Sequence, residues 1–112
     1  MEGVALRYAL IARQLDQVAP EAKRIVASGG VTRVAAGWLQ IAADALGRPI
    51  TRLAQAPATL RGTALMALEL LAPDVPRTPS ALAETYVPDP EHSAYYREAL
   101  ARQEQIYAAL LG

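Results

Sequence analysis

Val4, Tyr8, Ile11, Leu15 and Val18 recur at helical spacing with Arg7, Gln14 and Gln17 between them, which predicts an amphipathic helix over residues 3–18, ended ahead of Pro20. Its apolar stripe needs a partner. "RIVAS" (24–28) is a short β-branched run closed by Gly29-Gly30 and predicts a buried strand. "TRVAAGWLQIAADAL" (32–46) is alanine-rich and predicts a helix, with Gly47 and Pro49 as its stop. "PITRLA" (49–54) reads as a second strand. Leu60, Ala64, Leu68 and Leu71 share one face of a third helix over 58–71. Gly62 inside it costs about 1 kcal/mol relative to alanine unless close packing uses the missing side chain. After the proline-spaced connector "APDVPRTPS" comes a long final helix, with Asp89 as N-cap, Pro90 in the first helical position, and Tyr96, Leu100, Gln103, Tyr107 and Leu110 along one side.

The resulting order is α-β-α-β-α-α, an α/β pattern in which two apolar strands joined by a helix form a parallel βαβ crossover. Two strands are too few for a stable sheet, and parallel sheets are normally covered on both faces. The pattern therefore predicts a helix-rich piece of a larger α/β domain.

Composition narrows the function classes. The 112 residues fit one small unit, and 53% hydrophobic content with a mean hydropathy of +0.13 excludes a disordered tail. Eleven Lys and Arg balance eleven Asp and Glu, so there is no basic surface for a phosphate backbone and nucleic acid is not an expected partner. Without cysteine there is no disulfide and no thiolate metal site. Glu2, Arg7 and Arg13 interrupt the first apolar segment in a way unlike a signal peptide or a membrane span, so the expectation is a cytoplasmic protein with no membrane partner.

Few residues invite chemistry. A strand, a Gly29-Gly30 turn and a helix start make an arrangement in which bare backbone N–H groups and a helix dipole meet a phosphate, although an ordinary strand-to-helix turn also uses glycine. Ser28 and Thr32 flank the turn as phosphate donors, Thr32 reading equally as the N-cap of the next helix. His92 is the only histidine and reads as a solvated residue at a helix start rather than a ligand or base. Asp44 reads as a structural anchor, with general base as the alternative. Trp38 and the tyrosines at 8, 86, 95, 96 and 107 fall mainly in helical stripes and read as packing residues, with a nucleobase platform as the sharper alternative.

The run "ASGGVTRVAAGWLQIAADALGRPITRLAQAPATLRGTALMAL" resembles the carboxy-terminal domain of the FGGY carbohydrate kinases, gluconokinases being the most similar. The resemblance rests on Gly29-Gly30, Trp38 to Ile41, Ala43-Asp44, Gly47 to Ile50 and Gly62 to Ala64 in that order. "MEGVALRYALI" and the closing helix extend it over nearly all of residues 1–112, as part of that domain.

The resemblance implies a fragment of a ribonuclease H-like, actin-like ATPase domain that binds ATP with Mg²⁺ between two lobes. Gly29 and Gly30 would lie at the phosphates, with Val31 and Val34 near the nucleoside. The segment from the turn to Trp38 is one residue longer than the family's, and Val34 or a neighbour stands where the family often has serine or asparagine. Backbone and packing contacts to adenine remain. The implied parent moves the γ-phosphoryl of ATP to a hydroxyl of gluconate or a related sugar. The sugar pocket and the aspartate base belong to the other lobe, so no catalytic residue and no metal ligand is assigned here, and the chain, beginning in mid-domain, is expected to be a fragment without turnover of its own. The alternative is a non-enzymatic helical interaction module. An apolar face left by absent sheet strands makes a homo-oligomer the expected state in either case.

Overall fold

α3 (Ala36–Leu46) is the centre of the computed structural model, which describes residues 1–54 and 57–112. On one side Leu39, Ala42 and Ala43 bury against Ile50, with Ile25, Ala27, Trp38 and Tyr86 packed around them. On the other, Ala45 meets Ala5 of α1 (Glu2–Val18) and Tyr96 of α5 (Pro90–Leu111). Small side chains let these helices approach closely, but each alanine removes little apolar area from water, so the core is thin. α3 ends as the sequence predicts: Gly47 adopts φ 62°, and the N–H groups of Gly47 and Arg48 donate to the carbonyls of Asp44 and Ala43.

The sheet differs from the expected pair. β1 (Ile25–Ala27) and β2 (Ile50–Leu53) are parallel, with Ile25 opposite Ile50, as a βαβ unit requires. A third strand, β3 (Leu82–Tyr86), runs antiparallel on the far side of β2, with Ile50 opposite Tyr86 and Thr51 opposite Thr85. The sheet is thus mixed and three-stranded, in the order β1-β2-β3. Non-local pairing holds β3: the Thr51 and Thr85 hydroxyls lie 2.9 Å apart, and Arg52 Nε donates to Glu84 Oε2 at 2.7 Å.

Three further expectations are corrected. The helix read over 32–46 is two, α2 (Val31–Val34) and α3, parted by Ala35 at φ −126° and ψ 65°. α1 packs through Ala5 and Ala9, while its larger residues Val4, Tyr8, Ile11, Leu15 and Val18 stay substantially exposed. α4 (Ala58–Leu71) has the expected span but no buried residue among those described, and a side chain at Gly62 would meet nothing within 4 Å, so no close packing uses that glycine. The chain order is α1-β1-α2-α3-β2-α4-β3-α5. Among the described residues no helix is long and apolar enough to cross a membrane.

Candidate functional site: the glycine turn between β1 and α2

Arg48 positions the strand that leads into the turn. Its guanidinium donates to Asp16 Oδ1 at 2.9 Å and to the carbonyls of Ala22 and Lys23 at 2.9 and 3.2 Å, fixing the connection between α1 and β1. β1 then delivers the chain to Ser28 and the two glycines.

The glycines are not equivalent. Gly29 has φ +107°, a region that side chains rarely adopt, so the turn itself requires glycine there. Gly30 has φ −60° and ψ −40°, ordinary helical values, and a Cβ on it would meet nothing within 4 Å. The fold places no demand for glycine at position 30.

Around the turn, the Thr32 and Arg33 N–H groups donate to the carbonyls of Gly29 and Gly30 at 3.2 and 3.1 Å. Thr32 Oγ1 donates to the Gly29 carbonyl at 2.7 Å, so it braces the turn from inside α2 and is not the N-cap; Gly30 holds that position. Because α2 is a single turn, its dipole is that of one turn and not of the long helix expected from the sequence. Val31 is 61% exposed and Val34 86%, so both expected nucleoside residues are open to solvent, as are the two glycines. Residues 24–34 contain two arginines, Arg24 and Arg33, and no carboxylate. The segment is net positive and has no carboxylate to hold Mg²⁺.

Asp44 and His92 lie in a different place and do a different job. Asp44 is 3% exposed; its Oδ1 accepts from Gln40 Nε2 and from the Asp89 N–H, each at 2.8 Å. His92 Nδ1 lies 3.2 Å from Asp44 Oδ2, and Gln40 Nε2 also donates to the Val87 carbonyl at 2.9 Å. Asp89 in turn caps α5, accepting from the N–H groups of Glu91 and His92, and these two bonds, that from His92 first, hold its carboxyl below the usual carboxylate range. Asp44 is therefore the anchor that the sequence allowed. The reading of His92 as solvated at the helix start changes in one respect: its exposed ring also reaches the anchor. Nothing in the residue pattern signalled that contact, which depends on bringing together positions 48 apart.

The family model described as the FGGY family of carbohydrate kinases, C-terminal domain, matches residues 1–70. No curated protein matches the chain. Among solved structures the chain is similar to the xylulose kinase of Rhodospirillum rubrum, with a TM-score of 0.78 and 29% identity over 97% of this chain. It spans 23% of the length of that kinase. Neither comparison supports the narrower likeness to gluconokinases. With the family model covering well over half of its residues, the chain belongs to the FGGY family of carbohydrate kinases, through that family's C-terminal domain.

Proposed function

We propose that the chain supplies the nucleotide-facing part of an actin-like ATPase lobe in an ATP-dependent sugar kinase, with Gly29 and Gly30 at the phosphates and Val31 and Val34 beside the nucleoside. The observation that carries the reading is Gly30, whose conformation and surroundings would accept any side chain. A phosphate drawn to bare N–H groups explains its lack of one, and Arg33, three residues on in α2, supplies matching charge. Phosphoryl transfer by such an enzyme depends on positioning and electrostatic stabilisation, to which this surface contributes a backbone cradle. The acceptor is a hydroxyl of a sugar or sugar acid, gluconate by sequence resemblance; likeness to a xylulose kinase favours a ketopentose as the second choice. With no carboxylate beside the turn to act as base or hold Mg²⁺, these 112 residues by themselves are proposed to lack turnover, in a cytoplasmic setting.

Titration of Mg²⁺-ATP, followed by amide chemical shifts, tests this. Perturbation centred on residues 28–34 is expected, and Gly30→Val abolishes it while leaving the melting temperature within a few degrees. Absence of any response at millimolar ATP refutes the assignment. It would favour the second reading, a non-enzymatic self-associating helical module, which the exposed Leu60, Met66, Leu70 and Leu71 of α4 support.

A further inference from the structure

We propose that Arg52 of β2 is a phosphate-binding residue of the glycine-turn site, its guanidinium clamped by Glu84 on one flank and donating to the nucleotide's polyphosphate on the other. The proposal rests on the nucleotide reading and adds a side chain to it. Strand register brings Arg52 to the turn: in the parallel pair it lies opposite Ala27, and Ser28, Gly29 and Gly30 follow at once. This is the carboxyl end of both strands, outside which parallel sheets receive their ligands. Adjacent strands lie about 4.8 Å apart and each residue advances the chain about 3.3 Å, so the start of the turn is within an arginine's reach. Alternation along β2 puts Arg52 on the face of Ile50, which packs against α3, the helix to which the turn leads through α2.

The guanidinium is held in a way that leaves room for a second anion. Nε and Nη2 both meet Glu84 Oε2, each at 2.7 Å. Glu84 belongs to β3 and β2 is the middle strand, so the carboxylate grips Arg52 from the flank away from β1. Among the described residues Nη1 has no partner, which leaves donors of the planar fork for a phosphate on the side of the turn. The Arg52 side chain is only 19% exposed and already fixed by Glu84, so it has little freedom left to lose when an anion binds. The ladder between β2 and β3 is irregular between Thr51 and Leu53, around Arg52, and such irregularities re-aim side chains beside sites.

Titration of the 112-residue chain with sodium tripolyphosphate at low salt tests the proposal, read by the nitrogen chemical shifts of Arg52 Nε and of the Gly29 and Gly30 amides. All three are expected to move with one binding curve. Arg52→Gln weakens tripolyphosphate about five- to tenfold, and Arg52→Lys, which keeps the charge without the fork, recovers part of the loss. Arg97→Gln, at an exposed position on α5, leaves the affinity unchanged. A pair that only joins two strands would lower the urea midpoint of Arg52→Gln while the folded protein kept its affinity, and that result overturns the proposal. So does an equal loss in Arg97→Gln, which would mean general charge attraction. Turn shifts that persist with unchanged affinity in Arg52→Gln remove Arg52 and spare the glycines, whereas no turn shift in the parent at millimolar tripolyphosphate removes both readings.

Discussion

Removing the Asp44 carboxylate is expected to loosen α5 from the rest of the molecule. In Asp44→Ala, the Asp89 N–H loses its acceptor at the part-buried contact between α3 and the start of α5, and a lost bond to a charged group costs about 1.5–3 kcal/mol. Gln40 keeps the Val87 carbonyl and so loses about 0.5–1 kcal/mol. His92 is 66% exposed at its side chain and rehydrates. The total is about 2–4 kcal/mol, which for a domain of this size lowers the melting temperature by about 8–17 °C. Asp44→Asn preserves the acceptor oxygen at Oδ1 and is expected to lose less than half as much. Urea denaturation followed by Trp38 fluorescence and far-UV circular dichroism measures both. Should Asp44→Ala unfold within about 0.5 kcal/mol of the parent, the anchoring role is refuted. If Asn is as damaging as Ala, net charge and not acceptor geometry holds the helix.

Gly29→Ala forces a side chain into φ +107° and is expected to destabilise the chain by about 1–2 kcal/mol in urea, while Gly30→Ala is neutral or stabilising by up to about 1 kcal/mol. Gly62→Ala, in an exposed helix interior with nothing within 4 Å, is expected to raise stability by about 0.5–1 kcal/mol in the same assay. Asp89 titrates at a lower pH folded than unfolded, so its contribution is full above the unfolded carboxylate range and is lost as pH falls through the folded value. The urea midpoint should therefore drop on going from pH 6 toward pH 3. Asp89→Asn, which caps without ionising, should flatten part of that profile; Glu84, held low by Arg52, supplies another part. An unchanged profile in Asp89→Asn would remove the cap from this account.

Local signals placed most of the elements. Helical periodicity located α1, α4 and α5 within a residue or so, and the stop at Gly47 and the cap at Asp89 took the forms their side chains favour. β3 escaped because "LAETY" lacks a clean apolar alternation and is mostly exposed; it is a strand only because β2 lies beside it. The face of α1 was misjudged for a related reason. Periodicity marks the bulkiest stripe, but the neighbour is the alanine-lined α3, which prefers the close approach that Ala5 and Ala9 permit. The break at Ala35 falls between β-branched Val31, Thr32 and Val34 and the helix-weakening Gly37, signals that the surrounding alanines masked. At the glycine turn the sequence supplied the bare backbone, while the contrast between a required Gly29 and an unrequired Gly30 needed dihedral angles.

The clasp at Asp44 also bears on how the chain reaches its native state. It joins Gln40 to Val87, Asp44 to Asp89 and Asp44 to His92, separations of 47, 45 and 48 residues, and Tyr96 Oη donates to Glu2 Oε1 across 94. Such distant partners make the closing of α5 costly in loop entropy and slow compared with helix formation. During synthesis α1, the parallel strand pair and α3 emerge well before α5 can pack on them. A ribosome-bound nascent chain ending at residue 80 should thus be open to protease along α3, and one carrying residues 90–100 outside the exit tunnel should become resistant in a single step.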